Sequence, residues 1–454
     1  MILRIKTYLN SYTNAASLAF YRIAFGFMML LGLIRFAANG WIDKFYIQPS
    51  FHFTYYGFSW IKPIGIYTYG IFILCFLSCI FIMIGYKYRA SAIVFFLSFT
   101  YIELMDKTTY LNHYYFITVI SFIMIFLPAG NYFSVDSYRN PQQAFGKTPR
   151  WTVDILKLML AIVYFYAGLA KLNSDWLVNA MPLKIWLTGH SNLPFVGPLM
   201  LKSWLHYTFS WFGAAYDLFI VLLLINRRTR IVGFILVVVF HLLTSLLFPI
   251  GMFPYIMIVS SLIFFSGSFH QKCLTGIKLL HLPILLVDNT KNYIPQNRSL
   301  YKGSIVVLSI FMFIQLVFPF RYLCYPGELF WTEEGFRFSW RVMLMEKAGY
   351  AQFIVTDAKS GKKIYVNNED FLTVFQEKQM SFQPDFILEY AHFLHDHYQK
   401  EGLNDPEVRV QNYVALNGRL SRPYVDPTIN LAEKKESFES KDWILPFEDT
   451  IWGL

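Results

Sequence analysis

The chain has 454 residues, 56% of them hydrophobic and 19% aromatic, and only 15% charged. A soluble domain of this length carries about a quarter charged residues, so the composition excludes an ordinary soluble enzyme and indicates a polytopic membrane protein with one soluble appendage. The formal charge of +10 is distributed over alternate loops, a placement that argues against a nucleic-acid partner.

Apolar runs long enough to cross a bilayer, about 17–25 residues, recur through the first two-thirds of the sequence. In chain order they fall near Ser17–Ala37, Ile64–Gly85, Ala90–Leu104, Tyr114–Leu127, Val153–Ala170, Leu205–Ile225, Ile231–Leu247, Phe253–Phe265 and Ser304–Phe318, about nine in all. The first has too long an apolar core for a cleavable signal peptide, and no small-residue cleavage site follows it. Basic residues cluster in every second loop: Arg4 and Lys6; Lys87 and Arg89; Arg139, Lys147 and Arg150; Arg227, Arg228 and Arg230; then Lys272, Lys278, Lys291, Arg298 and Lys302. That alternation is the positive-inside pattern. It predicts a cytoplasmic N-terminus and an external C-terminal region, in the cytoplasmic (inner) membrane if the source is bacterial. Of the cysteines, Cys75 and Cys79 read as small apolar packing within a membrane helix, Cys273 should face the cytoplasm and Cys324 the outside. No intrachain disulfide is expected outside.

Composition changes after about Arg321, where charged residues become frequent and no spanning run remains. The stretches "AQFIVTD" and "KKIYVNN" around "AKSG" predict a β-hairpin. "PDFILEYAHFLHDHYQKEG" predicts an amphipathic helix begun by a proline and ended by Gly402. "EVRVQNYVALNGRL" returns to strand-like alternation. The expected architecture is therefore a transmembrane helical domain over residues 1–320, carrying the catalytic site, and a small external α+β domain over 321–454 on the substrate side. His392, His395 and His397 in "HFLHDH" raise a metal hypothesis. No carboxylate or cysteine pattern completes such a site, and a helix surface is the favoured reading.

Polar groups at helix ends in an apolar setting are functional candidates. "DKTTYLNHYYF" (Asp106–Phe116), "AKLNSDW" (Ala170–Trp176) and "FHLLTSLLFPIGMFPY" (Phe240–Tyr255) stand out, and the charge-derived topology puts all three on the outer face. Lys171 has two readings. As a structural group it snorkels to the interface or pairs with Asp175 four positions on; as a functional one, it is a desolvated amine near Phe165, Tyr166 and Trp176 that works as a general base. His113, beside Asn112, is either a satisfied structural histidine or a partner for a polar ligand. His241, deeper in an apolar helix, needs a partner that a ligand or a neighbouring helix would supply equally well.

With "DKTTYLNH", "YFYAGLAKLNSDW", "FHLLTSLLFPIGMFPY" and "EEGFRFSWRVML" in this order, the chain resembles the vitamin K-dependent γ-glutamyl carboxylase family, as a short, bacterial-type homologue. The resemblance implies a membrane enzyme of the carbon–carbon lyase class. Such an enzyme couples oxygenation of a reduced naphthoquinone (phylloquinol or menaquinol) to its epoxide with γ-carboxylation of protein glutamate, using O2 and CO2 and no metal. It implies Lys171 as the amine that deprotonates the quinol, and Asn112 and His113 as contacts of the quinone oxygens, His113 with a catalytic part. His241, Phe248, Met252 and Phe253 would line the quinone pocket. Trp331, Phe336 and Trp340 would present the glutamate of an exported peptide or protein, although "FRFSW" lacks the two phenolic hydroxyls of the family's Tyr-Gly-Tyr-Ser-Trp-like motif. The partners implied are that peptide, the lipid-soluble quinol and membrane lipids. Two other readings remain open at this point: a quinol epoxidase that carboxylates nothing, and a non-catalytic membrane scaffold for maturation of exported proteins.

Overall fold

The computed structural model of the protein describes residues 2–278 and 291–453. Among them, six helices are long and apolar enough to cross a membrane: Ala16–Ala38, Gly65–Ile84, Arg150–Leu169, Ser203–Ile225, Arg230–Leu247 and Arg298–Cys324. A seventh is added if Phe253–Phe264 and Gly267–Gly276, bent by 118° at their junction, form one span. The sequence expectation of about nine is higher because two further apolar segments fold into shorter helices, Tyr88–Leu104 of 17 residues and Asn112–Phe126 of 15. Both are packed into the bundle: Phe95, Ile120 and Ile123 are fully buried in its core.

Helix directions alternate, so the connecting segments collect at two ends. At one end, the short strand Tyr12–Asn14 pairs with Lys147–Pro149. There too Asp136 accepts 2.8 Å bonds from the backbone N–H groups of Lys87 and Tyr88, and Ser17 Oγ meets His270 Nδ1 at 3.0 Å. This is the end on which the basic loops lie. The C-terminal α+β domain covers the opposite end. Cys75 and Cys79 are buried in their helix as expected, and all four cysteines are free.

The domain follows its sequence pattern closely. Strands β1 (Lys347–Thr356), β2 (Lys363–Tyr365), β3 (Glu407–Leu416) and β4 (Arg422–Pro423) form an antiparallel sheet in the order β2-β1-β3-β4. The register runs from Lys347 opposite Leu416 to Thr356 opposite Glu407, and alternation buries Phe353, Val355, Val408, Val410 and Val414 on one face. Helix Pro384–Lys400 lays Phe386, Ile387, Tyr390, Ala391 and Leu394 on that face, a stripe at helical spacing. Two histidines of "HFLHDH" make structural contacts: His392 and His395 meet the carbonyls of Lys434 and Pro406 at 2.7 and 2.8 Å.

Charge fixes the domain to the membrane bundle. Lys107, in the loop before helix Asn112–Phe126, is almost wholly buried and lies 3.1 Å from Asp385 and 2.9 Å from Glu389. Burial disfavours its charge, but Asp385 and Glu389 outweigh burial and raise its pKa. Arg337 forks onto Asp385 at 2.6 and 3.1 Å. Removing one partner of such a buried pair strands the other charge. Lys107→Met is therefore expected to cost about 3–5 kcal/mol, seen as an early domain transition in thermal unfolding and faster proteolysis of the domain in detergent. Unchanged unfolding would show that the Lys107 ion cluster does not hold the junction.

Candidate active site

The helix Arg150–Leu169 delivers Lys171 to the domain end of the bundle, and Gly168 sets what it meets there. A Cβ at Gly168 would come within 2.8 Å of the backbone nitrogen and Cγ of Leu218, so only glycine lets the two helices approach this closely. That approach places Asp217 beside Lys171: Nζ donates to Asp217 Oδ2 at 2.7 Å and to the Ala167 carbonyl at 3.0 Å. The Trp176 ring closes the site, its centroid 5.3 Å from Nζ. The ring is held by its own Nε1, which donates to the Ser210 carbonyl at 2.8 Å. Lys171 is only 6% exposed, so the desolvation that the sequence reading asked for is present, although its partner is different.

Asp175, the partner proposed from sequence spacing, faces the other way. The helix stops at Leu169, and Asp175 belongs to a separate short turn, Ser174–Leu177. It accepts two 2.7 Å bonds from Arg419 and a 2.8 Å bond from Asn417, both in the C-terminal domain. Hydrogen bonding to Asp175 is the main cause of a raised pKa at Arg419, which stays charged. The chain's last residues reinforce this junction: Ser174 N–H donates to the Trp452 carbonyl at 2.7 Å and Trp452 N–H to Ser174 Oγ at 3.0 Å. A side chain at Gly453 would collide with the Leu172 carbonyl, 2.2 Å from its Cβ.

Two cavities adjoin at this end. The smaller, of about 90 Å³, is lined by Lys171, Asp217, Trp176, Tyr164, His241 and Phe248. Here His241 Nε2 meets Tyr164 Oη at 3.0 Å, so a neighbouring helix supplies one partner, while Nδ1 is buried without one. The larger, of about 330 Å³, is mostly apolar and takes its polar lining from Asn112, His113, Arg35 and Glu103, with Met252 among its walls. Phe253, Ile250, Val342 and Met343 line both. The Phe253 ring stands between the two histidines, 5.7 Å from His113 and 5.8 Å from His241. Asn112 uses its amide to donate to the Arg341 carbonyl at 2.9 Å, which ties the domain segment 341–343 to the cavity wall.

The expected quinone-site residues thus meet at one place, distributed over two compartments. The larger compartment falls within the about 300–1,000 Å³ typical of small-molecule sites and has their mix of apolar walls and few polar groups. The expected substrate residues do not line either cavity. Trp331 is buried in the domain, donating to the Leu445 carbonyl at 2.8 Å. Phe336 packs near Phe330, and Trp340 stacks on Tyr115 with centroids 4.7 Å apart. From that segment it is Val342 and Met343 that reach the cavities. Sequence reading missed these two and Asp217; an acidic residue inside the otherwise apolar "FGAAYDLFIVLLLI" was the available signal for the last.

Residues 10–269 match the family model of the HTTM domain, and residues 301–450 match that of the vitamin K-dependent gamma-carboxylase lumenal domain. No solved structure matches the chain. A multi-pass helical bundle carrying a buried lysine under an α+β domain of the lumenal type, with both parts matched over most of their length, places this chain in the vitamin K-dependent gamma-carboxylase family.

Proposed function

We propose that the protein is an integral-membrane carboxylase that couples oxygenation of a naphthoquinol to its epoxide with addition of CO2 to the γ-carbon of a glutamyl residue. The observation that carries this reading is the buried Lys171–Asp217 pair opening on a cavity that adjoins the Asn112–His113 compartment. Bound in the larger compartment, the quinol would supply, with oxygen, the strong base that a γ-carbon proton requires. The chain's own residues bind, shield and move protons. Asn112 and His113 offer polar groups to the quinol oxygens, while Phe253, Met252 and Ile250 exclude water. The 2.7 Å contact gives one proton two resting places, Lys171 Nζ or Asp217 Oδ2. After passing a proton to Asp217, Lys171 acts as general base towards a quinol hydroxyl that reaches past the shared Phe253 wall into the smaller cavity. His241 Nδ1 stands ready as a further hydrogen-bonding group on the same cavity. By the charge pattern, the domain end is the external face, where an exported polypeptide would meet the site.

A second reading, quinol epoxidation without carboxylation, draws on the placement of Trp331, Phe336 and Trp340 away from both cavities. Purified protein given reduced vitamin K, oxygen, labelled bicarbonate and a glutamyl peptide separates the two. Epoxide together with labelled peptide is the expected result. Epoxide without label would favour the second reading, and absence of both products would leave a scaffold role.

A further inference from the structure

The end of the bundle away from Lys171 holds a cavity of about 560 Å³, larger than either compartment of the candidate active site. It lies between the start of helix Tyr88–Leu104, the end of helix Asn112–Phe126, the segment 127–145 and the segment 293–304, which opens the spanning helix Arg298–Cys324. Its lining is mainly polar, unlike that of the other two. Asn140, Gln142, Gln143 and Gln296 line it, and their side-chain amides make no hydrogen bond among the described residues. Arg89 lines it too, and its guanidinium has neither an ion pair nor a hydrogen bond among those residues. The Tyr293 ring stands edge-on to the buried Phe145 in the wall, with centroids 5.4 Å apart. Burial raises the pKa of the Tyr293 hydroxyl, and the nearby Arg89 charge opposes that rise.

The one carboxylate among the described lining residues, Asp136, is already engaged. Its two oxygens accept 2.8 Å bonds from the backbone N–H groups of Lys87 and Tyr88. Its own N–H donates to the Gly85 carbonyl at 3.0 Å. Against Gly85 lies the fully buried Arg22, so close that a Cβ there would overlap its Nη1. Lys87, Arg298 and Lys302, each next in sequence to a lining residue, are exposed. The field at this end is therefore positive. The cavity also reaches the lipid side of the bundle: Phe126, Leu300 and Ser304 belong to its lining, the last two one turn apart on the spanning helix, and Leu300 is 67% exposed. A soluble ligand has no use for such a flank, whereas an amphiphile does.

We propose that this cavity binds the headgroup of an anionic phospholipid that carries free hydroxyls, a phosphodiester of a polyol. Carboxamides donate and accept at once, as hydroxyls do, so four unengaged amides match a polyol better than a bare phosphate. Arg89 takes the phosphate through charge-assisted N–H···O bonds, and the acyl chains run along Leu300 and Phe126. Basic pockets between membrane helices are a recurrent place for such headgroups. The lipid would bridge helix Arg298–Cys324, which is little buried against the bundle, to the loops beside it. By the charge pattern it belongs to the cytoplasmic leaflet, across the bundle from the candidate active site, and its binding does not depend on the quinol chemistry.

The test uses the full chain, purified in detergent micelles, and native mass spectrometry. Phosphatidylglycerol, phosphatidate and phosphatidylcholine with matched acyl chains are titrated in turn. Wild type is expected to bind a first phosphatidylglycerol at least about tenfold tighter than phosphatidylcholine, and tighter than phosphatidate, which has charge without hydroxyls. Arg89→Gln should lose most of the advantage over phosphatidylcholine, and Arg89→Lys should keep part of it. Asn140→Leu with Gln143→Leu should bring phosphatidylglycerol down to the level of phosphatidate. Arg139→Gln, at an exposed residue outside the lining, should leave the first affinity within about twofold. Each comparison is a ratio between lipids on one protein, so a general loss of stability does not mimic the result. Equal affinity of wild type for phosphatidylglycerol and phosphatidate, or an undiminished preference in Arg89→Gln, overturns the proposal. So does displacement of bound phosphatidylglycerol by soluble glycerol phosphate at matched concentration, which would make a free polyol phosphate the ligand.

Discussion

Lys171→Ala is expected to reduce quinol epoxide formation by at least about 10²–10⁴-fold, the range for loss of a positioned general base. The truncation removes an amine that lies in a cavity with His241 and Trp176, and it leaves a space there. A small primary amine added to the assay should enter that space and restore part of the turnover, with a rate that rises with the concentration of its neutral form. Rescue of this kind is not expected of a lysine that merely anchors a helix. Turnover at the wild-type rate in Lys171→Ala without added amine would remove the base assignment.

The second large effect concerns Asp217. Replacing it with leucine leaves the Lys171 ammonium buried, with the Ala167 carbonyl as its remaining oxygen partner. Stranding one member of a buried pair costs about 3–5 kcal/mol, so the midpoint of thermal unfolding in detergent should fall sharply. Replacing both members with apolar residues removes the stranded charge as well as its partner, and is often neutral or stabilising. Lys171→Met with Asp217→Leu is therefore expected to regain most of the lost stability while forming no epoxide. That divergence between stability and activity separates a catalytic pair from a structural one. A double variant as unstable as Asp217→Leu would show that the pair is there for the fold.

The sequence carries most of the secondary structure because its signals are local. The hairpin around "AKSG" pairs Ile354 with Tyr365 and Thr356 with Lys363, and the helix begun by Pro384 ends before Gly402, whose φ is 100°. Each depends on residues within a few positions of one another. The span count is less legible, because length alone does not separate a helix buried within a bundle from one that crosses the membrane against lipid. Asn112–Phe126 is too short to pass as an independent span, yet it sits in the bundle core.

The site shows the same division more sharply. Lys171, His113 and His241 are recognisable from their apolar settings, and the fold brings them to one end of the bundle. Their partners are distant in sequence. Asp217 reaches Lys171 because Gly168 permits close packing of two helices, a tertiary fact with no local signature. Asp175 seemed to be one helical turn from Lys171, but the helix had already ended, and its partner Arg419 lies 244 positions away. The aromatic residues of "FRFSW" look suited to a ligand, but they build the domain and its seat on the bundle. The cavity-lining duty passes instead to Val342 and Met343.

The hydrogen bonds between Ser174 and Trp452, together with the Asp175–Arg419 fork, have a consequence for modularity. The chain contains two separately recognisable units, yet the stretch directly after Lys171 is clamped by residues near the end of the other unit. A membrane half and a lumenal half taken from two different relatives would each keep their own core and still lose this seam. Inheritance of the two halves is therefore tied together at Lys171, and a displacement of the C-terminal domain is transmitted directly to the stretch that follows it.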